Sequence, residues 1–115
     1  MKLGLSGKEL DVVALVFKKF PGIQEAVLFG SRAMGTFKPG SDVDIALKGQ
    51  ITLQDVARVK ALLEEESPMP YLFDVVDYHT IETPAFKEHI DKHGKSIYRQ
   101  STYRIGSRGT QTRKR

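Results

Sequence analysis

Two aspartates, Asp42 and Asp44, stand two residues apart at the start of an apolar run, and this spacing constrains the chain more than any other feature. Side chains at positions i and i+2 leave the same face of a β-strand, so both carboxylates point together. Val43, Ile45 and Leu47 would then point the other way, into a core. Two carboxylates on one side repel each other, and a divalent cation removes that repulsion. Mg²⁺ prefers hard oxygen ligands and usually combines one or two carboxylates with substrate phosphates, so the pair predicts a metal site.

A glycine and a serine, Gly30 and Ser31, precede the acid pair across a short loop that contains Gly35 and Gly40. Backbone N–H groups at such a turn, together with the serine hydroxyl, suit phosphate oxygens. Arg32 follows directly, and its guanidinium could neutralise phosphate charge. The alternative for Arg32 is a solvated turn residue. Together with the two acids, this segment predicts a metal-dependent nucleotide site.

Length and composition indicate one small domain without a membrane span. The chain has 115 residues and no cysteine, so neither a disulfide framework nor a thiolate zinc site is expected. No run approaches the roughly 18 apolar residues that a membrane-spanning helix needs. A chain without cysteine is compatible with a reducing compartment, and we expect a cytoplasmic protein with no membrane partner.

The net charge of +4 comes from the C-terminus and not from the body of the chain. Residues 100–115 carry five basic and no acidic side chains, whereas residues 1–99 carry 13 basic and 14 acidic ones. The tail holds few apolar residues, so we expect it to be disordered and the folded domain to span residues 1–99. A basic tail could touch nucleic acid, but a solvated extension is the simpler interpretation. We do not expect direct nucleic-acid binding.

Apolar spacing and capping residues predict alternating helices and strands. Two capping boxes, each a hydroxyl residue followed three positions later by an acid, mark helix starts at Ser6 and Thr52, and Thr83 precedes a third helix. The predicted elements are a helix over 7–20, a strand over 25–29, a helical turn over 31–34, a strand over 42–47, a helix over 53–66, a strand over 71–76, a helix over 84–94 and a strand over 95–99. This order predicts an α/β (α+β) fold in which helices layer a sheet.

Two-metal phosphoryl or nucleotidyl transfer needs a third acid near the attacking group, and the strand over residues 71–76 with the residue that follows it offers two candidates. Asp74 lies between Phe73 and Val75, which would point together into the core and leave Asp74 on the face of the acid pair. Asp77 has the opposite parity and stands at the strand end, where turn residues and helix caps are common. We therefore predict that Asp74 is the third acid. Hydrolysis by a metal-bound water is the alternative use of the same acids.

The combined pattern resembles the polymerase-beta-like nucleotidyltransferase superfamily. Its parts are the Gly-Ser turn at 30–31, the loop, the Asp-x-Asp pair at 42–44 and the Phe-Asp-Val-Val-Asp segment at 73–77. Within that superfamily the chain looks most like the stand-alone minimal nucleotidyltransferase domains, the MntA-type antitoxins encoded beside HEPN-domain toxins. The resemblance covers about residues 8–99. It implies the small mixed sheet with flanking helices of that core.

The resemblance also implies a role for each residue of the motif. Gly30 and Ser31 would bind the triphosphate of ATP. Asp42 and Asp44 would hold two Mg²⁺ ions, and Asp74 would complete the catalytic metal site. Proteins of this branch transfer AMP from ATP to a tyrosine of the HEPN toxin and so silence its RNase activity.

Two other functions stay open alongside this implied one. The acceptor could be the hydroxyl of a small molecule, as in the aminoglycoside nucleotidyltransferases that this core also resembles. We expect no counterpart here of the additional domain that holds the acceptor in those enzymes, which favours a protein acceptor. The chain could also be a non-catalytic antitoxin that masks its partner by contact alone.

Three further side chains are expected to be structural. His89 and His93 stand four residues apart on the last helix, a spacing that can bind zinc, but no third ligand is evident. We expect both on a helix surface. Tyr71 is expected to pack as a strand residue and not to stack on a nucleotide base.

Overall fold

Helices and strands alternate along the chain in the predicted order. The computed structural model describes residues 4–38, 40–66 and 71–101. Its elements are α1 (Gly7–Lys18), β1 (Ile23–Phe29), α2 (Ser31–Met34), β2 (Val43–Gly49), α3 (Leu53–Glu66), β3 (Phe73–Asp77), a 3₁₀ turn (Tyr78–Thr80), α4 (Pro84–His93) and β4 (Lys95–Arg99). The predicted α/β (α+β) class and the order of the elements are confirmed, and the 3₁₀ turn is an addition.

Both predicted capping boxes form. At the start of α1 the Ser6 hydroxyl accepts from the Glu9 N–H at 3.1 Å, and the Glu9 carboxylate accepts from the Ser6 N–H at 2.9 Å. Thr52 and Asp55 exchange the same two bonds at the start of α3, at 3.0 and 3.1 Å. These bonds satisfy N–H groups that have no partner within the helix. Local sequence therefore fixes where both helices begin.

The four strands form one mixed sheet in the order β3-β2-β1-β4. β1 lies antiparallel to β2 and β4, whereas β2 and β3 run parallel. Helix α3 makes the crossover that a parallel pair requires. The carboxyl end of β1 therefore meets the amino ends of β2 and β3. We call this edge, where Phe29, Asp44 and Asp74 lie side by side, the site end of the sheet.

Each face of the sheet carries its own apolar cluster. The larger core lies under α1 and α3 and includes the fully buried Ile45 and Leu63. The smaller cluster lies under α4 and includes Ala46 and Ile90. Because alternate residues of a strand share a face, Asp44 projects from the same face as Ala46. Asp44 thus lies on the α4 face, and the larger core forms behind it.

No helix in the described ranges is long and apolar enough to cross a membrane. The main chain stays attached to the sheet as far as Gln100, whose N–H donates to the Gln24 carbonyl at 2.8 Å. Residues 102–115 lie outside the described residues. The predicted domain boundary at residue 99 and the predicted disorder of the tail stay predictions.

Candidate active site

The three predicted acids lie at the site end of the sheet. Asp44 in β2 is in register with Asp74 in β3, and Asp42 directly precedes β2. Asp42 and Asp74 are exposed, and Asp44 is half-buried. Because Asp44 and Asp74 are paired positions of neighbouring strands, their side chains project from the same face. The predicted placement of Asp74 beside the pair is confirmed.

The carboxylate of Asp44 lies in a repulsive environment. Burial raises the pKa of Asp44 above the ordinary aspartate value, and the negative charges of Asp74 and Asp42 raise it further. Electrostatic interactions with Arg32 and His89 offset this rise only in part. The three acids of the sequence pattern are therefore close enough to interact. A cation bound among them would remove the repulsion.

The donor set at the site end fits Mg²⁺ together with a nucleotide. Within the described ranges, no group of three or more histidine, aspartate or glutamate side chains forms a ready-made metal cluster. Mg²⁺ needs no such cluster, since it usually takes one or two carboxylates and completes its shell with water and phosphate oxygens. Carboxylates that repel one another on an open face can supply those carboxylate ligands and leave room for water and phosphate.

Gly30 connects β1 to α2 directly against Asp44. Its φ of 77° and ψ of −154° fall in a region that is essentially restricted to glycine. A Cβ at this position would lie 2.2 Å from the Oδ2 atom of Asp44. Gly35 also has a φ of 77°, but a Cβ there would meet nothing within 4 Å. The backbone conformation of position 30 therefore requires glycine, and any Cβ there would displace the Asp44 carboxylate.

Ser31 is the first residue of α2 and follows Gly30 at this contact. The Met34 N–H donates to the Gly30 carbonyl at 3.2 Å, and the Thr36 N–H donates to the Ser31 carbonyl at 3.0 Å. These bonds fold the chain into a tight turn beside the acids. Gly30 therefore lies against Asp44 and Ser31 is the next residue along the chain, and the contact of both with a nucleotide stays a prediction.

Arg32 is buried, with 2% of its surface exposed, so its interpretation as a solvated turn residue is wrong. Its Nε and Nη2 atoms donate to the Ser41 carbonyl at 3.3 and 2.8 Å, and Nη1 donates to the Gly4 carbonyl at 3.1 Å. Its guanidinium carbon lies 4.5 Å from the ring centroid of Tyr71 and 5.0 Å from that of Phe37. Tyr71 packs as predicted, but it precedes β3 and is not a strand residue. The direct phosphate contact predicted for Arg32 stays a prediction.

A second set of charged side chains holds the backbone of β3, and sequence reasoning missed it. β3 is an edge strand, and the Phe73 N–H donates to Glu64 Oε2 at 3.0 Å. Lys60 Nζ donates to the Phe73 carbonyl and also to Glu64 Oε2, the latter at 2.8 Å. The hydrogen bond from Lys60, followed by that from the Phe73 N–H, holds the pKa of Glu64 below its usual range. The sequence feature that could have indicated this contact is the Lys60–Glu64 pair at i, i+4 spacing, which ordinarily indicates only a solvated helix face.

Asp77 takes the structural position predicted for it, whereas His89 and His93, predicted on a helix surface, are half-buried. Asp77 stands at the end of β3, and its Oδ1 atom accepts from the His79 N–H at 3.0 Å, capping the 3₁₀ turn. The rings of His89 and His93 lie 5.3 Å apart, and His89 also packs edge-on against Phe29. Neither histidine belongs to a metal-binding group within the described residues.

Comparison with known proteins agrees with this geometry. The family described as Polymerase beta, Nucleotidyltransferase matches residues 12–103. The chain is 29% identical over 90 residues to the protein adenylyltransferase MntA of Shewanella oneidensis, a match that covers 78% of this chain and 64% of that protein. The chain therefore spans less than two thirds of the length of that relative.

Two solved structures share the fold. A toxin–antitoxin complex with AMP-PNP matches with a TM-score of 0.65 and 23% identity, over 81% of this chain and 74% of that one. The complex of a tri-AMPylated Shewanella oneidensis HEPN toxin with its MNT antitoxin matches with a TM-score of 0.59 and 20% identity, over 80% and 70%. The resemblance and the small mixed sheet with flanking helices predicted from the sequence are confirmed. With most of its length matched, the chain belongs to the polymerase-beta nucleotidyltransferase family.

Proposed function

We propose that this protein is a Mg²⁺-dependent adenylyltransferase that transfers AMP from ATP to a tyrosine hydroxyl of a HEPN-domain toxin and so acts as its antitoxin. The observation that carries the proposal is the register of Asp44 with Asp74, directly against the required glycine at position 30. The names of the similar proteins add support, since they include a protein adenylyltransferase and an AMPylated HEPN toxin.

Each residue of the site has a distinct part in this reaction. Asp42 and Asp44 would hold the metal ions, and Asp74 would complete their ligand set on the acceptor side. Mg²⁺ would supply charge neutralisation and a lowered pKa for the attacking hydroxyl. Gly30 and Ser31 would hold the triphosphate, with its α-phosphorus turned towards the acids. The new oxygen–phosphorus bond forms as the bond to pyrophosphate breaks, and the hydroxyl proton leaves to solvent or to a carboxylate.

A protein acceptor fits the openness of the site. Asp42 and Asp74 are both exposed, so a hydroxyl on a second protein can reach them. Transfer depends largely on holding the acceptor oxygen in line with the leaving pyrophosphate, and a bound partner supplies that positioning. We therefore expect slow turnover by this protein alone and poor transfer to small hydroxyl compounds. We expect the partner to be encoded next to it, and the reaction to take place in the cytoplasm, where ATP is available.

Intact-mass analysis of the toxin tests the proposal. The protein is incubated with its HEPN partner, ATP and Mg²⁺, and the partner should gain whole AMP units on tyrosine and stay inactive after the two proteins are separated. Asp42→Asn should abolish the mass increase. Asp77→Asn is the matched control, because it removes the same charge from the cap of the 3₁₀ turn, and it should modify the partner normally.

Two results would replace the proposal with an alternative. An inhibited toxin of unchanged mass, neutralised equally well by the Asp42→Asn protein, would indicate masking by contact. Efficient transfer to a small hydroxyl compound, with no modification of the toxin, would indicate a small-molecule acceptor.

A further inference from the structure

We propose that Arg32 is a positioning residue for the acid pair: its buried guanidinium holds the Ser41 carbonyl and thereby fixes the backbone from which Asp42 and Asp44 project. This inference rests on the proposed function for its consequence on catalysis. Its consequence for metal binding can be measured without any transfer reaction. The role differs from the phosphate contact predicted from sequence, in which Arg32 would touch the substrate itself.

The first step is the burial of the charge. A buried guanidinium is costly unless its donors are paired. Nε, Nη1 and Nη2 each donate a bond to a backbone carbonyl, that of Ser41 or that of Gly4. Two of them converge on the Ser41 carbonyl, which belongs to the peptide bond leading into Asp42. The charge is therefore used to hold main chain immediately before the first acid.

The second step is the immobility of Ser41. Its N–H and its hydroxyl both donate to the Lys38 carbonyl, at 3.0 and 2.6 Å, and the hydroxyl accepts from the Lys38 N–H at 2.8 Å. Arg32 binds the remaining polar group of the residue, the carbonyl. Every polar group of Ser41 thus has a protein partner, and the loop enters β2 in one orientation.

The third step is the fit of an arginine in particular. The Phe37 and Tyr71 rings both pack against the guanidinium. A Cβ at Gly4 would lie 2.1 Å from Nη1, so glycine at this position allows the main chain to close over the group. A lysine ammonium would keep the charge, but it lacks the planar fork that binds one carbonyl twice and stacks on rings. Arg32→Lys therefore separates positioning from charge.

The experiment compares Arg32→Lys with Arg58→Lys. Arg58 is an exposed arginine of α3 that packs on the Phe20 ring, so its replacement controls for the loss of an arginine–ring contact away from the site. Three quantities are measured for each full-length protein: the Mn²⁺ affinity by electron paramagnetic resonance, the kcat for AMP transfer to the partner and the KM for ATP. Melting temperatures and circular dichroism report the fold.

A displacement of the Asp42 and Asp44 carboxylates should reduce kcat and metal affinity together. Because a displacement of about 1 Å can cost on the order of 100-fold in rate, we expect Arg32→Lys to lower kcat by roughly 10- to 100-fold. The Mn²⁺ affinity should fall several-fold, and the KM for ATP should change by less than about threefold. Arg58→Lys should match the parent protein in all three.

Phe37→Leu and Tyr71→Phe keep the inference testable if Arg32→Lys fails to fold. Phe37→Leu removes one ring from the guanidinium and should give a smaller loss of the same kind. Tyr71→Phe keeps the ring and removes only the long hydrogen bond from the hydroxyl to the Gly4 carbonyl, at 3.5 Å, so its kcat and Mn²⁺ affinity should stay within about twofold of the parent values. A raised KM for ATP with normal kcat and Mn²⁺ affinity would overturn the inference in favour of direct phosphate contact, and unchanged values in Arg32→Lys would overturn it outright. If the parent protein transfers no AMP, the proposed function fails, and Mn²⁺ affinity alone decides the role of Arg32.

Discussion

Gly30→Ala is the sharpest perturbation that this site offers, because the added methyl group meets the carboxylate of Asp44, the metal ligand of the proposed function. The new Cβ would lie 2.2 Å from Asp44 Oδ2, whereas ordinary contacts of a Cβ begin near 3.4 Å. Either the carboxylate or the turn must therefore move by roughly 1 Å, a displacement that can cost on the order of 100-fold in rate. This loss corresponds to about 2.7 kcal/mol of transition-state stabilisation.

Gly35→Ala provides the control for backbone strain. Both glycines have a φ of 77°, but a Cβ at position 35 enters open space. The left-handed conformation of Gly35 should cost an alanine about 1–2 kcal/mol, and the conformation of Gly30 about 1–3 kcal/mol. Each kilocalorie should lower the melting temperature of a domain of this size by about 4–8 °C. Both variants should therefore melt earlier, and only Gly30→Ala should lose catalysis while folded.

The assay is AMP transfer to the partner at a temperature at least 10 °C below both melting points, with folded protein quantified by circular dichroism. We expect kcat to fall about 100-fold for Gly30→Ala and less than about threefold for Gly35→Ala. Equal kcat losses in the two variants would refute the reasoning, because backbone strain would then explain the effect without the contact to Asp44. A fully active Gly30→Ala would show that Asp44 can shift freely and is not positioned as described.

Four other substitutions have distinct expected outcomes. Folding raises the pKa of Asp44, so the ionised carboxylate destabilises the metal-free protein. Asp44→Asn should therefore raise the melting temperature at pH 7. This gain should vanish below about pH 4, where the carboxyl is protonated in both the folded and the unfolded state. Asp74→Asn should abolish transfer while ATP still binds by calorimetry, whereas Asp77→Asn should transfer AMP normally and lose only the turn cap. Folding lowers the pKa of Glu64, so the ionised carboxylate stabilises the protein. Glu64→Gln should therefore lower the melting temperature at pH 7. The difference from the parent protein should shrink as the pH falls through that lowered pKa.

The features predicted correctly from sequence are those that depend on short-range periodicity. The alternation of Phe73 and Val75 around Asp74 identifies the face of the third acid, because a one-residue slip would expose both apolar side chains. The register of Asp44 with Asp74 agrees with that reasoning. The capping boxes are equally local, since hydroxyl and acid stand within one helical turn.

The environment of Arg32 could not be predicted in the same way. Its position after Ser31 suggests a turn surface, yet the groups around it come from Gly4, Phe37 and Tyr71, which only the folded sheet brings together. The contact of Glu64 with β3 could not be predicted for a related reason. An i, i+4 pair on a helix indicates a solvated face unless β3 is known to be an edge strand, and edge position depends on the order of strands.

The open face of the site explains why both acids are held through the main chain. Asp42 and Asp74 are both exposed, so tight packing of their own side chains does not fix them, and the proposed function requires this exposure for contact with the metal and the acceptor. Each is instead preceded by a residue whose carbonyl accepts from a cationic side chain: Ser41 from Arg32, and the residue before Asp74 from a lysine of α3. Catalytic geometry tolerates errors of about 0.5 Å. A site that cannot bury its ligands therefore needs rigidity in the backbone that carries them, and these two contacts supply it from outside the sheet.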